Sequence, residues 1–285
     1  MKLILIILFI LTSNLLNARV IEFSLKSKIS LQEIINNAGI GDSIVVQKGE
    51  YFINSIKIEK NLKVFGHGYP IFNANNKQGD LIYVHADSVI ISGIIIKNVP
   101  KAHTSDNAAI KIKKSRKVII ENIKTENCFF GIYLSGSDSC NLINNSITGN
   151  RKNETSSGNG IHLWKCNDIN IIGNKVNFHR DGIYFEFVKN THITNNISTH
   201  NVRYGLHYMF SDSCSYQSNQ FLNNGAGVAV MYTKNVLMKN NIFRDNWGSA
   251  SYGILLKDIR DSKIVNNQFI NNTIGILAEG SNRIE

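Results

Sequence analysis

Four short segments hold the side chains best suited to chemistry: Gly160-Ile161-His162-Leu163-Trp164, Gly182-Ile183-Tyr184-Phe185-Glu186, Gly205-Leu206-His207-Tyr208-Met209 and Gly227-Val228-Ala229-Val230-Met231. Apolar residues take the second and fourth positions, and the third and fifth mostly carry large or reactive side chains. In an extended strand the third and fifth residues share one face. Stacked as neighbouring strands about 4.8 Å apart, the segments would form two columns. One reads Tyr133, His162, Tyr184, His207, Ala229, Leu255, and the other Ser135, Trp164, Glu186, Met209, Met231, Lys257. His207 and Met209 then lie two apart on one strand, with Met231 one turn away. One imidazole and two thioethers form a soft donor set, suited to monovalent copper and poorly suited to calcium or magnesium. Glu186 and His162, one and two turns away, extend the candidate metal set to His207, Met209, Met231, His162 and Glu186. The competing reading is an outer groove in which Met and His only fill space.

Such columns require a repeat, and the chain has one. Glycines fall at Gly131, Gly160, Gly182, Gly205, Gly227, Gly253 and Gly275, with successive gaps of 29, 22, 23, 22, 26 and 22 residues. Asn145, Asn174, Asn196, Asn219, Asn241 and Asn267 follow with gaps of 29, 22, 23, 22 and 26, so both series carry the same insertions. A period near 22 residues leaves no room for a crossover helix and shows no helical apolar spacing. Three short strands per turn, coiled turn upon turn, give an all-β, right-handed parallel β-helix. Asparagine is frequent because at corners it can stack in ladders and adopt left-handed backbone. Glycine at each strand entry permits a sharp bend. The insertions 151–158 and 244–251 are loops on one edge. Upstream, Ser30 as N-cap, Leu31 to Asn37 and Gly39 as stop read as a short helix plugging the solenoid at about residues 30–38. Strands are expected around 43–46, 56–58, 62–65 and 89–96.

The N-terminus, Met1-Lys2 followed by an apolar run and a small residue at Ala18, reads as a secretory signal peptide over residues 1–18. The exported domain then spans 19–285. The final segment from Gly275 resembles no cap, so a missing C-terminal portion is expected. The net charge of +10 admits acidic polysaccharide or an anionic surface as partner, while export argues against nucleic acid. Cys140 and Cys214 occupy one repeat position three turns apart, beyond disulfide reach, and no CxxC motif is present, so buried free thiols are expected. A carbohydrate-binding or polysaccharide-cleaving β-helix is the alternative, with Arg180, Asp181, Glu186, Arg203 and Lys257 as candidate groups. Glu186 is a lone outward carboxylate, which disfavours paired-acid chemistry.

The segments between 160 and 258 also resemble a known family. Gly160 to Trp164, Arg180 to Val188, Arg203 to Ser211, Asn224 to Tyr232, and Asp245-Asn246-Trp247-Gly248 with Tyr252 to Asp258 are similar to NosD, the periplasmic maturation proteins of nitrous oxide reductase. The resemblance implies a non-enzymatic, periplasmic accessory role in assembling a copper–sulfur centre. It implies as partners an ABC transporter permease/ATPase complex at the inner membrane, a copper chaperone lipoprotein and apo nitrous oxide reductase, with copper handled transiently. On this reading the outer groove docks partners through Trp164, Tyr184, Arg180, Arg203, Tyr208 and Tyr232, and no residue is catalytic.

Overall fold

A computed structural model describes residues 18–285 apart from 103, 249 and 250. The expected signal peptide therefore lies, but for its last residue, outside the described residues. From Val20 onward the chain coils into three parallel sheets of 12, 10 and 10 strands, in which hydrogen-bonded neighbours are one turn apart in sequence. This is the right-handed parallel β-helix, of about 11 turns. The sheet of glycine-led strands runs from Ile56–Ile58 to Ile274–Glu279.

Inward residues form one continuous apolar column set, including Ile132, Ile161, Ile183, Leu206, Val228 and Ile254, none of them exposed. Removing each such side chain from water contributes roughly 1.5–3 kcal/mol, and stacking repeats the contribution every turn. Two different asparagine columns meet the two needs that the composition suggested. Asn144, Asn195, Asn240 and Asn266 turn a corner at φ 53 to 58°. Their successors point inward and form a ladder. Asn145, Asn174, Asn196 and Asn219 each donate Nδ2 to the Oδ1 of the next asparagine, and Asn241 does so to Asn267, at 2.9–3.1 Å. Each rung also accepts a backbone N–H, as when Asn196 N donates to Asn219 Oδ1 at 2.9 Å. Corner backbone that strands leave unpaired is thereby satisfied inside the solenoid. A second ladder runs through Asn201, Asn224, Asn246 and Asn272.

The glycine column has a different cause from the expected bend. No left-handed φ occurs at Gly160, Gly182, Gly205 or Gly227. Instead, a Cβ at Gly182 would stand 2.7 Å from the Gly205 carbonyl oxygen, and one at Gly205 would stand 2.8 Å from that of Gly227. Glycine is required because the next turn's backbone and core side chains such as Val176, Ser198 and Phe221 fill the space a Cβ would need.

The plugging helix spans Leu31–Asn37. Ser30 accepts from Glu33 N while the Glu33 carboxylate accepts from Ser30 N at 2.7 Å, a reciprocal cap. The expected strand at 89–96 is two strands, Ile90–Ser92 and Ile95–Lys97, because Gly93 turns the chain at φ 73°. All four cysteines are buried and free.

Candidate functional site

The strand register builds both outward columns. Tyr133, His162, Tyr184, His207 and Ala229 are successive cross-strand partners, as are Ser135, Trp164, Glu186, Met209, Met231 and Lys257. The first column is a stack of rings with centroids 4.3 Å apart for Tyr133–His162, 4.8 Å for His162–Tyr184 and 5.1 Å for Tyr184–His207. Trp164, Glu186, Met209 and Met231 are partly buried beside it.

His207 stands on an outward position yet is only 5% exposed. The ring of Tyr204 packs 4.7 Å away, and Arg203 reaches back to Glu154 of the inserted loop at 3.0 Å. Behind the imidazole lies Asp181, wholly buried. Its Oδ2 is 3.3 Å from His207 Nδ1, and its Oδ1 is 3.3 Å from Arg203 Nε. Arg203 Nη2 also comes within 3.3 Å of His207 Nδ1, so two tautomers compete. Arg203 already donates to Glu154 and is ion-paired with Asp181 Oδ1, whereas the donor that Asp181 Oδ2 meets is His207. A buried carboxylate oxygen facing an imidazole lone pair is strongly unfavourable, so Nδ1 carries the proton. Nε2 then presents a lone pair, and it is buried with no hydrogen-bond partner. A carboxylate that fixes the tautomer of an imidazole prepares the far nitrogen either to bind a metal or to accept a proton. The Tyr184 and Tyr204 rings pack against the imidazole, and the same strand face carries the thioethers of Met209 and, one turn on, Met231.

His162 is arranged in the opposite sense. Asn159, fully buried, donates Nδ2 to His162 Nδ1 at 3.0 Å, and its Oδ1 faces the Asp181 N–H at 3.4 Å. Burial, helped by the nearby Arg180 guanidinium, pushes His162 down to about 3. Nδ1 is therefore occupied in a neutral ring, and His162 does not offer a second imidazole lone pair toward the methionines. Glu186 sits between Trp164 and Met209. Burial and the Glu186 charge push the Tyr184 phenol up to about 12.

The groove residues divide. Arg180, Arg203, Trp164 and Tyr184 line the outward face, with Lys165 stacked over Trp164 at 4.4 Å. Tyr208 does not: it occupies an apolar fourth position, points into the core and is wholly buried. Strand alternation dictates this and removes Tyr208 from the groove. Tyr232 lies just past the strand, at a corner with φ 54°. There it ends an exposed stack with Phe210 at 5.1 Å and Phe187 at 5.4 Å beyond.

Asp181 is the site residue that the columns did not reveal as a partner of His207. It precedes the glycine, outside the five-residue segments. The available signal was an acidic residue at a buried strand entry, which requires a donor in the adjacent turn. Among the described residues no group of three or more His, Cys, Asp and Glu comes together, so a metal held here needs the thioethers.

The fold and this face define a parallel β-helix protein with an imidazole- and thioether-bearing outer surface. Solved structures of the same architecture include a polygalacturonase from Erwinia carotovora (TM-score 0.69, 10% identity, covering 94% of this chain and 97% of that one). An alginate lyase from Paenibacillus is also similar (TM-score 0.63, 14% identity, 90% and 99%). At such identities the likeness is one of fold. Residues 143–285 match the family described as periplasmic copper-binding protein (NosD), and the chain belongs to that family. A Pseudomonas aeruginosa protein named probable ABC transporter binding protein NosD is 27% identical over 106 residues, 36% of this chain and 25% of that protein. The matched part is thus a quarter of that relative's length.

Proposed function

We propose that this protein is a periplasmic accessory factor that receives and passes on monovalent copper during maturation of nitrous oxide reductase. It would work beside an ABC transporter and a copper chaperone lipoprotein to help assemble the reductase's copper–sulfur centre. The observation that carries the copper part is the orphaned, buried Nε2 of His207, whose ring Asp181 holds through Nδ1, on the strand face that also carries Met209 and Met231. Soft sulfur donors with one imidazole favour Cu(I) over harder ions, and Glu186, the cross-strand partner of Met209, would join when the ion is exchanged. Membership of a copper-binding periplasmic family supports the same reading. The name of the Pseudomonas relative supports the transporter as partner. Cleavage of polysaccharide rests on the fold alone, since the solved likenesses are 10% and 14% identical.

Titrating the purified chain with Cu(I) against a competing chelator tests the reading. Binding that is at least tenfold weaker in a His207→Ala, Met209→Ala, Met231→Ala triple variant is expected. Equal affinity in the two proteins overturns it.

A further inference from the structure

The two histidines of the ring column are held in opposite states, and this defines a second site. The Asn159 amide has one orientation that serves both its neighbours, Nδ2 toward His162 and Oδ1 toward the Asp181 N–H. With Nδ1 accepting, the neutral His162 ring carries its proton on Nε2 and is a donor. Arg180 N donates to the Gly158 carbonyl at 2.8 Å, which seats Arg180 in the turn next to the His162 strand, and its guanidinium helps hold His162 neutral. Arg180 Nε is itself buried without a hydrogen-bond partner. Among the described residues no carboxylate pairs with Arg180, whereas the neighbouring cations are already neutralised: Lys111 by Asp80 at 3.1 Å, and Arg203 by Asp181 and Glu154.

We propose that Arg180 and His162 form a binding site for a single carboxylate presented by an acidic ligand, separate from the His207 nitrogen and the methionines. Arginine offers a planar edge that matches a carboxylate, and an unpartnered buried N–H is the group such a ligand satisfies. One unneutralised cation beside one imidazole donor suits one carboxylate. A polyuronate carries a charge on every sugar and needs a series of cations. An acidic side chain of a protein partner meets the requirement, in keeping with the chain's net charge of +10. The site goes beyond the copper reading and does not depend on it.

The test is long-range proton–nitrogen spectroscopy of the metal-free full chain with labelled histidine. Sodium acetate is titrated at constant ionic strength. His162 is expected as the Nε2–H tautomer and His207 as the Nδ1–H tautomer, with acetate shifting His162 and leaving His207 in place. Arg180→Lys and Arg180→Gln should weaken the response at least tenfold, while His207→Ala keeps it. A proton on Nδ1 of His162, or no acetate-dependent shift in the native chain, overturns the proposal whatever the variants do. So does an unchanged response in a folded Arg180→Gln. Trigalacturonate binding more than tenfold tighter than acetate would replace the single carboxylate by a polyanion groove. Loss of copper binding in His207→Ala bears on the copper reading alone, and the His162 readouts overturn or support this site independently of it.

Discussion

Asp181 Oδ2 lies 3.3 Å from His207 Nδ1 across adjacent turns of the solenoid, with both side chains withdrawn from solvent. The relationship decides which nitrogen of the imidazole carries the proton and which keeps a lone pair. Asp181→Asn keeps the shape and reverses the hydrogen-bonding demand, since its amide can present a donor to Nδ1. Loss of such an outer partner typically weakens metal affinity by about 10–100-fold. Cu(I) affinity measured by chelator competition is therefore expected to fall by that order in Asp181→Asn. A circular dichroism spectrum like that of the native chain would assign the loss to the imidazole rather than to unfolding.

The inner asparagine ladder makes a separate prediction about stability. Asn196 donates to the Ile171 carbonyl at 2.8 Å and to Asn219 Oδ1 at 3.0 Å, and accepts from Asn174 N at 2.8 Å. Alanine there leaves buried backbone and amide groups unpaired at about 1–3 kcal/mol each. Asn196→Ala is expected to lower the unfolding free energy by roughly 3 kcal/mol or more, read from the urea midpoint. Asn195→Ala, at the exposed left-handed corner beside it, should cost about 1–2 kcal/mol through backbone strain.

The contrast between these two positions also explains what could be read in the sequence. Registered glycine and asparagine spacings specify the solenoid, because each turn must repeat the same corner, and the outward columns follow from strand alternation alone. Spacing is silent about side-chain direction at the corners, so Tyr232 could be given to the groove. It is equally silent about contacts between columns. Asp181 and Asn159 reach His207 and His162 from the strand entries, and only the three-dimensional arrangement brings their side chains onto those rings. Tyr208 was legible, since its fourth position marks it as inward.

The glycine column yields a prediction with its own control. A methyl group at Gly182 would overlap the Ser198 hydroxyl oxygen and meet the Gly205 carbonyl oxygen at 2.7 Å, whereas at Gly275 the nearest atom is 3.9 Å away. Overpacking of this kind costs typically about 1–3 kcal/mol. Gly182→Ala should lower the thermal midpoint by several degrees, and Gly275→Ala should leave it nearly unchanged. Equal effects would return the column to a role in bending.

Acid should destabilise the protein through two histidines that resist protonation, His179 in the interior and the partly buried His162. His179 is 1% exposed, and its ring lies near the Gly158 and Phe129 carbonyls without hydrogen-bond geometry at either nitrogen. Burial pushes it down from 6.5 to about 4, and His162 goes down to about 3. Below pH 6.5 the unfolded chain takes up a proton at each site that the folded chain refuses. Stability is thus complete above that pH and declines as pH falls toward 4, by about 1.4 kcal/mol per pH unit for His179. His179 heads the second ladder, its N–H donating to Asn201 Oδ1 at 3.1 Å, in the column that Asn224, Asn246 and Asn272 continue. His179→Asn should therefore extend the ladder and remove the His179 share of the acid sensitivity. Urea midpoints at pH 7.5 and 4.5 measure it: the native chain is expected to lose roughly 3 kcal/mol more between the two than the variant. An equal loss in both would show that His179 is not the group that titrates.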